Sequence, residues 1–361
     1  MPKRISLVAA IAVVSLVNAS FAADLTDGMK KGTPDLKSAG PLTFAPQGIL
    51  LVGDPQAAAV FAIATEDTSA GSPSQPLKIE KIDGKVASLL GTTPQGMLIN
   101  DMAVNPETGS TFLSVSRGTG PDAEPVLVRV DSAGKVGEFS LEGVRFSKAA
   151  IPNPATDGRS AREVTTDLQF TDGKVIVAGL SNEEFASNLR VLSFPFAEAD
   201  QGTSVEIFHG AHGKVETRSP VRTFAVFDVA GKPNVLAAYT CTPLVRFPLS
   251  DLQPGKKVRG TTVAELGNRN RPLDMVVYQK DGKDYLLIAN NSRGVMKVDV
   301  AKIDETDGIT DRVSGGGTAG LPYDTIKELQ GVTQLDKLDK EHALVLVQTD
   351  SGMNLEAVEL P

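Results

Sequence analysis

The chain carries one cysteine and three histidines among its 361 residues. Three of these four groups, His209, His212 and Cys241, fall in neighbouring stretches, "HGAHGKVETRSP" and "AAYTCTP". Two imidazoles and a thiolate are the equatorial donors of copper electron-transfer sites, and the same set serves zinc. A bound copper or zinc ion would shield a lone thiol from oxidation, and Glu216 stands ready nearby as a proton acceptor for a redox enzyme. The competing reading is ordinary packing: a small buried thiol at a strand end, with imidazoles used for hydrogen bonds. No Cys-x-x-Cys-His is present for covalent haem, no Gly-x-Ser-x-Gly elbow, and no glycine pattern for a phosphate loop.

A second set of residues is basic and amide-bearing. The loops "NPATDGRSAREVTT", "HGAHGKVETRSPVR", "GNRNRPLD" and "NNSRG" hold Arg162, Arg218, Arg222, Asn268, Asn270, Arg271, Asn290 and Arg293. Arginine offers a carboxylate or phosphate two parallel hydrogen bonds, so these residues are the candidate binding set for a small polar or anionic ligand. The bland alternative is that each arginine ties neighbouring units together through carboxylates such as Glu163, Glu216 and Asp274. The overall charge of -8 argues against a nucleic-acid partner, since that affinity comes from basic side chains displacing counterions. A protein-interaction scaffold remains the third reading.

The elements that must position these residues are strands. A short apolar run recurs six times, as "GILLVGD", "TFLSVSR", "KVIVAGLS", "NVLAAYTC", "DYLLIANN" and "HALVLVQTD", at spacings of roughly 50 to 64 residues, the range of propeller blades. In front of most copies lies another strand-like run, joined to it by "ETGS", "DGK", "AGKP" or "KDGK", in which glycine supplies the positive φ of tight hairpins. A third strand follows each copy, and a fourth follows most. The sequence therefore predicts an all-β, six-bladed β-propeller of four-stranded antiparallel blades, with seven blades as the alternative. Strand direction puts the turns between second and third strands, and the links between blades, on one face. That face receives the arginines, His209, His212 and Cys241. The last unit lacks a fourth strand, and the stretch from Asp24 to Pro46 is expected to complete it and close the ring.

The chain resembles the exported bacterial β-propellers over most of its length, through this repeat grammar. With no tryptophan, it has neither the Trp-Asp dipeptide of WD40 blades nor the tryptophan docking motifs of the large quinone-dependent alcohol dehydrogenases. The opening "MPKRISLVAAIAVVSLVNASFAAD" has a basic start, an apolar run and small residues before Asp24, the parts of a secretory signal peptide. The expected organisation is a signal peptide over 1–22, a flexible segment over 23–40 and one propeller domain over 41–361. A periplasmic or secreted monomer follows, with no membrane-spanning segment after signal cleavage and with a small molecule or a periplasmic protein as its partner.

Overall fold

The computed structural model describes residues 24–69, 77–196, 201–241 and 243–361; the expected signal peptide lies outside them. Six antiparallel sheets stand around a central channel. The second strand of each is the recurrent apolar run, and in blade 1 it is Ile49–Asp54, buried at every position. A blade in a ring has a neighbour on each side. Successive side chains, which point to opposite faces of a strand, must therefore all be apolar, and an unbroken run replaces the usual alternation.

The packing confirms this reading residue by residue. Ile49 and Leu51 join Leu168, Val175 and Val177 of blade 3 in one hydrophobic cluster, whereas Leu50 and Val52 join Ala103, Phe112 and Leu127 of blade 2 in another. Four further clusters join blades 3 and 4, 4 and 5, 5 and 6, and 6 and 2. Six blades thus close through six apolar seams, in the ring order 1, 3, 4, 5, 6, 2. Among the described residues, no helix is long and apolar enough to cross a membrane.

This order differs from the simple succession expected from the sequence. Blade 1 takes its inner three strands from Leu42–Ala45, Ile49–Asp54 and Ala59–Ala64, but its fourth is Val144–Ala150, which follows blade 2 in the chain. Blade 2 comprises Met97–Val104, Thr111–Arg117, Glu124–Val130 and Val136–Glu138. The last blade, Val332–Lys337, His342–Thr349 and Gly352–Glu359, is completed by Lys78–Ile79. Closure therefore does not use the stretch from Asp24 to Pro46. That stretch supplies the first strand of blade 1 and, through Lys30–Gly32, an extra strand outside Val144–Ala150. Within the same stretch, the amides of Lys37 and Ser38 donate hydrogen bonds to the carboxylate of Asp54. The α-helix Ile82–Leu89 fills the outer wedge between blades 2 and 6 with Ile82, Val86 and Ala87.

Blades 3, 4 and 5 follow the expected grammar. Their inner strands are Asp167–Thr171, Thr223–Val229 and Pro272–Lys280. The outer strand of blade 3, Thr203–His209, turns back into a short strand, Lys214–Glu216. The outer strand of blade 4 is Thr261–Leu266, on which Thr318–Gly320 adds an edge.

Candidate functional site at the channel mouth

The links between blades deliver the residues that precede each inner strand to one end of the channel. There they line a cavity of about 830 Å³. Arg159, Arg162 and Glu163 come from the helical turn before blade 3, Arg222 from just before blade 4, and Arg271 from just before blade 5. Nη1 of Arg222 donates to Oε1 of Glu163 at 2.8 Å, with both side chains largely buried. Arg159 reaches the same oxygen from solvent at 3.6 Å. Glu163 is thus already shared when Arg271 is counted. Burial, and next the charge of Arg222, lower the pKa of Arg271, with Glu163 opposing and Arg159 adding to the repulsion. The guanidinium groups of Arg271 and Arg162 have no hydrogen bond or ion pair among the described residues.

The floor of this cavity is acidic. Asp101, Asp167 and Asp274 reach it from the inner strands of blades 2, 3 and 5, and Asp336 of blade 6 joins them around a narrower space of about 240 Å³ deeper in the channel. Each aspartate holds a neighbouring blade by an amide hydrogen: Asp101 that of Leu42 at 2.7 Å, Asp167 that of Phe224 at 2.7 Å, Asp274 that of Leu335 at 2.9 Å and Asp336 that of Val104 at 2.7 Å. Burial disfavours the charged form more than these bonds favour it. It pushes Asp167 up to about 7 and Asp336 up to about 6, and Asp101 and Asp274 well above the usual carboxylate range. Sequence reading missed this ring. Its signal was an aspartate directly before an apolar or strand residue in four of six inner strands, as in "NDMAV", "TDLQF", "LDMVV" and "LDKLD".

Of the eight residues expected to bind a ligand, Arg162, Arg222 and Arg271 line the mouth and the other five do not. Arg218 sits out on blade 3, its guanidinium 3.5 Å from the carbonyl oxygen of Glu184. Asn268, Asn270, Asn290 and Arg293 knit two loops of blades 4 and 5 together. Nη2 of Arg293 donates to the carbonyl of Asn268 at 2.9 Å, Asn270 donates to the carbonyl of Gly267 at 2.5 Å, and Oδ1 of Asn290 accepts the amides of Ser292 and Arg293. The side chains of Asn270, Asn290 and Arg293 thus each hold a main-chain group.

The expected metal set is likewise rearranged. His209 and His212 do converge, with ring centroids 3.9 Å apart, but the third donor beside them is Glu216, and Cys241 is not in the cluster. The thiol lies at the turn between the second and third strands of blade 4, where its amide donates to the carbonyl of Asn270 towards blade 5. The histidines stand on the outer hairpin of blade 3, against Glu265 on the other flank of blade 4. A copper centre of two imidazoles and this thiolate is therefore not assembled.

No family model matches the chain, and no curated protein is similar to it in sequence. Solved structures resemble it in outline. The PQQ-bound aldose sugar dehydrogenase of Streptomyces coelicolor is 11% identical, with 91% of this chain and 96% of that one covered and a TM-score of 0.34. A putative oxidoreductase (glucose dehydrogenase) of Thermus thermophilus is 11% identical over 92% and 100% of the two chains, with a TM-score of 0.37. A luciferin-regenerating enzyme is 11% identical over 92% and 96%, with a TM-score of 0.32. These likenesses concern the propeller fold, and no residue role is carried over from them.

Proposed function

We propose that the protein binds a small anionic molecule, a carboxylate or phosphate ester bearing hydroxyl groups, at the arginine-rimmed mouth of its channel. One observation carries this reading: Arg271 and Arg162 both line the cavity beside Arg222, yet the guanidinium of neither has a hydrogen bond or ion pair among the described residues. The charge of Arg222 works against that of Arg271, so an anion placed beside them would relieve the repulsion, and Arg271 with Arg162 presents planar donor forks suited to a carboxylate or phosphate. The aspartates beneath supply the other half of the recognition. Held partly protonated near neutral pH by burial, they can both donate to and accept from hydroxyl groups.

A second cavity, of about 760 Å³, adjoins the first and shares Pro55, Ser116, Gly158 and Arg162 with it. Its other walls include Met97, Leu98, Ala155 and Val164, so it offers room for an apolar portion of the same ligand. Both volumes fall in the range of small-molecule sites. With an export signal over 1–22, binding takes place in the periplasm or outside the cell.

The test is a thermal-shift panel of carboxylates, hydroxy acids and phosphate monoesters, run on the wild type and on the Arg162→Ala/Arg271→Ala double variant. At least one anion should raise the wild-type melting temperature in a concentration-dependent way and leave the variant unmoved. A panel to which neither protein responds, or to which both respond equally, would sink the reading.

A further inference from the structure

The geometry points to a second site, separate from the channel mouth: a divalent transition-metal site of the zinc class on the outer hairpin of blade 3, with His209, His212 and Glu216 as its three protein ligands. Donor atoms of these residues lie within 4.8 Å of one another. Nδ1 of His209 is 3.1 Å from Oε2 of Glu216, and Nδ1 of His212 is 2.6 Å from Oε1. Ligands of a tetrahedral zinc ion stand about 3.3 Å apart, given bonds near 2.0 to 2.1 Å, so shifts of a few tenths of an ångström to somewhat over an ångström convert one arrangement into the other.

The turn that carries the histidines is held rigidly. The amide of Gly213 donates to the carbonyl of His209 at 2.8 Å, and the amide of Val313 donates to that of Gly210 at 2.9 Å. The amide of Gly210 donates to Oε1 of Glu265 at 2.5 Å. A β-carbon at Gly210 would stand 3.0 Å from both Glu265 and Val313, so the turn is pressed against blade 4. Ser219 donates at 2.5 Å to Oε2 of Glu216, the oxygen that faces Nδ1 of His209, and so helps to fix the carboxylate. Donors fixed in this way need little reorganisation to receive an ion.

Hydrogen bonding alone leaves this cluster incomplete. With protons on both Nδ1 atoms, directed at Glu216, the Nε2 of His209 is a bare acceptor, buried and without a donor. Oε2 of Glu265, the carboxylate that holds the amide of Gly210, is also a buried acceptor without a partner. With neutral rings in that tautomer, two buried acceptors go without a donor, and each is a cost. A metal on Nδ1 removes it. Each imidazole stays neutral and carries its proton on Nε2, where that of His209 is drawn to Glu265, in the carboxylate–histidine–metal relation common around zinc. Three protein ligands leave a further position open, beside the exposed ring of His212.

The experiment uses the untagged chain, stripped with EDTA, titrated with zinc by calorimetry and with cobalt(II) by visible absorption. One ion per chain is expected, with a cobalt spectrum free of a thiolate charge-transfer band. His212→Ala should weaken zinc binding by about 100-fold or more and Glu265→Gln by about 10-fold, while Cys241→Ser and Arg271→Ala bind as the wild type does. His212 is half exposed, so its variant should melt like the wild type without metal; Glu216→Gln is the second ligand variant. The proposal is overturned if the wild type binds zinc more weakly than about 1 mM, if both ligand variants bind it as the wild type does, or if bound cobalt shows a thiolate band that Cys241→Ser removes. Zinc uptake by Arg271→Ala separates failure here from failure at the channel mouth.

Discussion

Asp167 of blade 3 holds blade 4 by its main chain, Oδ2 accepting the amide hydrogen of Phe224 at 2.7 Å. Asp101, Asp274 and Asp336 do the same at three other seams. An inner strand of a propeller has no partner on its channel side, so its amides there need acceptors that the next strand of the same sheet cannot supply. A short carboxylate from the adjacent blade answers that need and joins the two sheets. The consequence is a set of buried acids around one axis, in which the charge of Asp336 makes it harder for Asp101, Asp167 and Asp274 to ionise.

Stability should therefore fall as pH rises through the neutral range. Asp167 has a folded pKa of about 7 and Asp336 of about 6, both raised above an ordinary 3.8 chiefly by burial. A raised pKa means that the folded state holds its proton longer, so the contribution is complete below about pH 4 and lost towards pH 7. For Asp167 alone the ceiling is about 4 kcal/mol. Glu216 is shifted the other way, since burial is outweighed by hydrogen bonds from His209, Ser219 and His212, and its contribution is lost only at acid pH. Between pH 5 and 8 the aspartates thus dominate, and the melting temperature should drop by several degrees. Asp167→Asn should flatten that slope; an unchanged slope would mean that the ring does not titrate.

Arg222 and Arg271, which both line the channel mouth, should behave oppositely. Arg222 is 9% exposed in its side chain and carries the bond to Glu163, so Arg222→Ala strands a carboxylate and should cost about 2 kcal/mol in urea unfolding. Arg271 opposes Arg222 by charge and has no partner to strand. Arg271→Ala should stay within about 0.5 kcal/mol of the wild type while losing the response to anions. Equal destabilisation by both would show that Arg271 is structural.

Why the sequence predicted the face but not the site is a matter of radius. Strand direction decides which end of the disc a loop occupies, and Arg162, Arg222, Arg271, His209 and Cys241 were all placed from it. Distance from the axis depends on which strand the loop follows. Arg222 and Arg271 immediately precede inner strands and reach the channel. Cys241 and Arg293 follow second strands, and His209 ends a fourth, so they lie progressively further out. The blades themselves were legible because every second strand is apolar on both faces, as in "ILLV" and "VIVAG". Their ring order was not, since it rests on the two residues Lys78–Ile79 and on Val144–Ala150, segments too short or too distant in the chain to announce their partners.

Gly179→Ala should damage both fold and site. Gly179 lies in the second strand of blade 3, and a β-carbon there would stand 1.9 Å from the carbonyl oxygen of Val164 and 2.5 Å from its carbon. Only a shift of that backbone relieves the clash, at about 1 to 3 kcal/mol. The displaced segment carries Arg162, Glu163 and Asp167, so the anion response should weaken as well. A variant with wild-type stability would show that the segment yields freely.

The closing strand can be tested through Ile79, which is 7% exposed and packs with Ile82, Leu344 and Leu355 in the seam between blades 6 and 2. Its partner in the sheet is Leu355, and Lys78 pairs with Glu356. Two residues are a small strand, yet among the described residues they are the only strand paired with the outer side of Gly352–Glu359. Ile79→Ala removes three carbon atoms from that seam and should cost about 2 to 4 kcal/mol. Ile79→Pro also removes the amide of a paired residue and should cost more. Because the strand is not part of the channel, the surviving folded fraction of Ile79→Ala should keep its anion response. If instead Ile79→Ala unfolds at the same urea concentration as the wild type, closure does not depend on this strand, and blades 6 and 2 must be held together by their apolar seam and by bonds such as that from the amide of Val104 to Asp336.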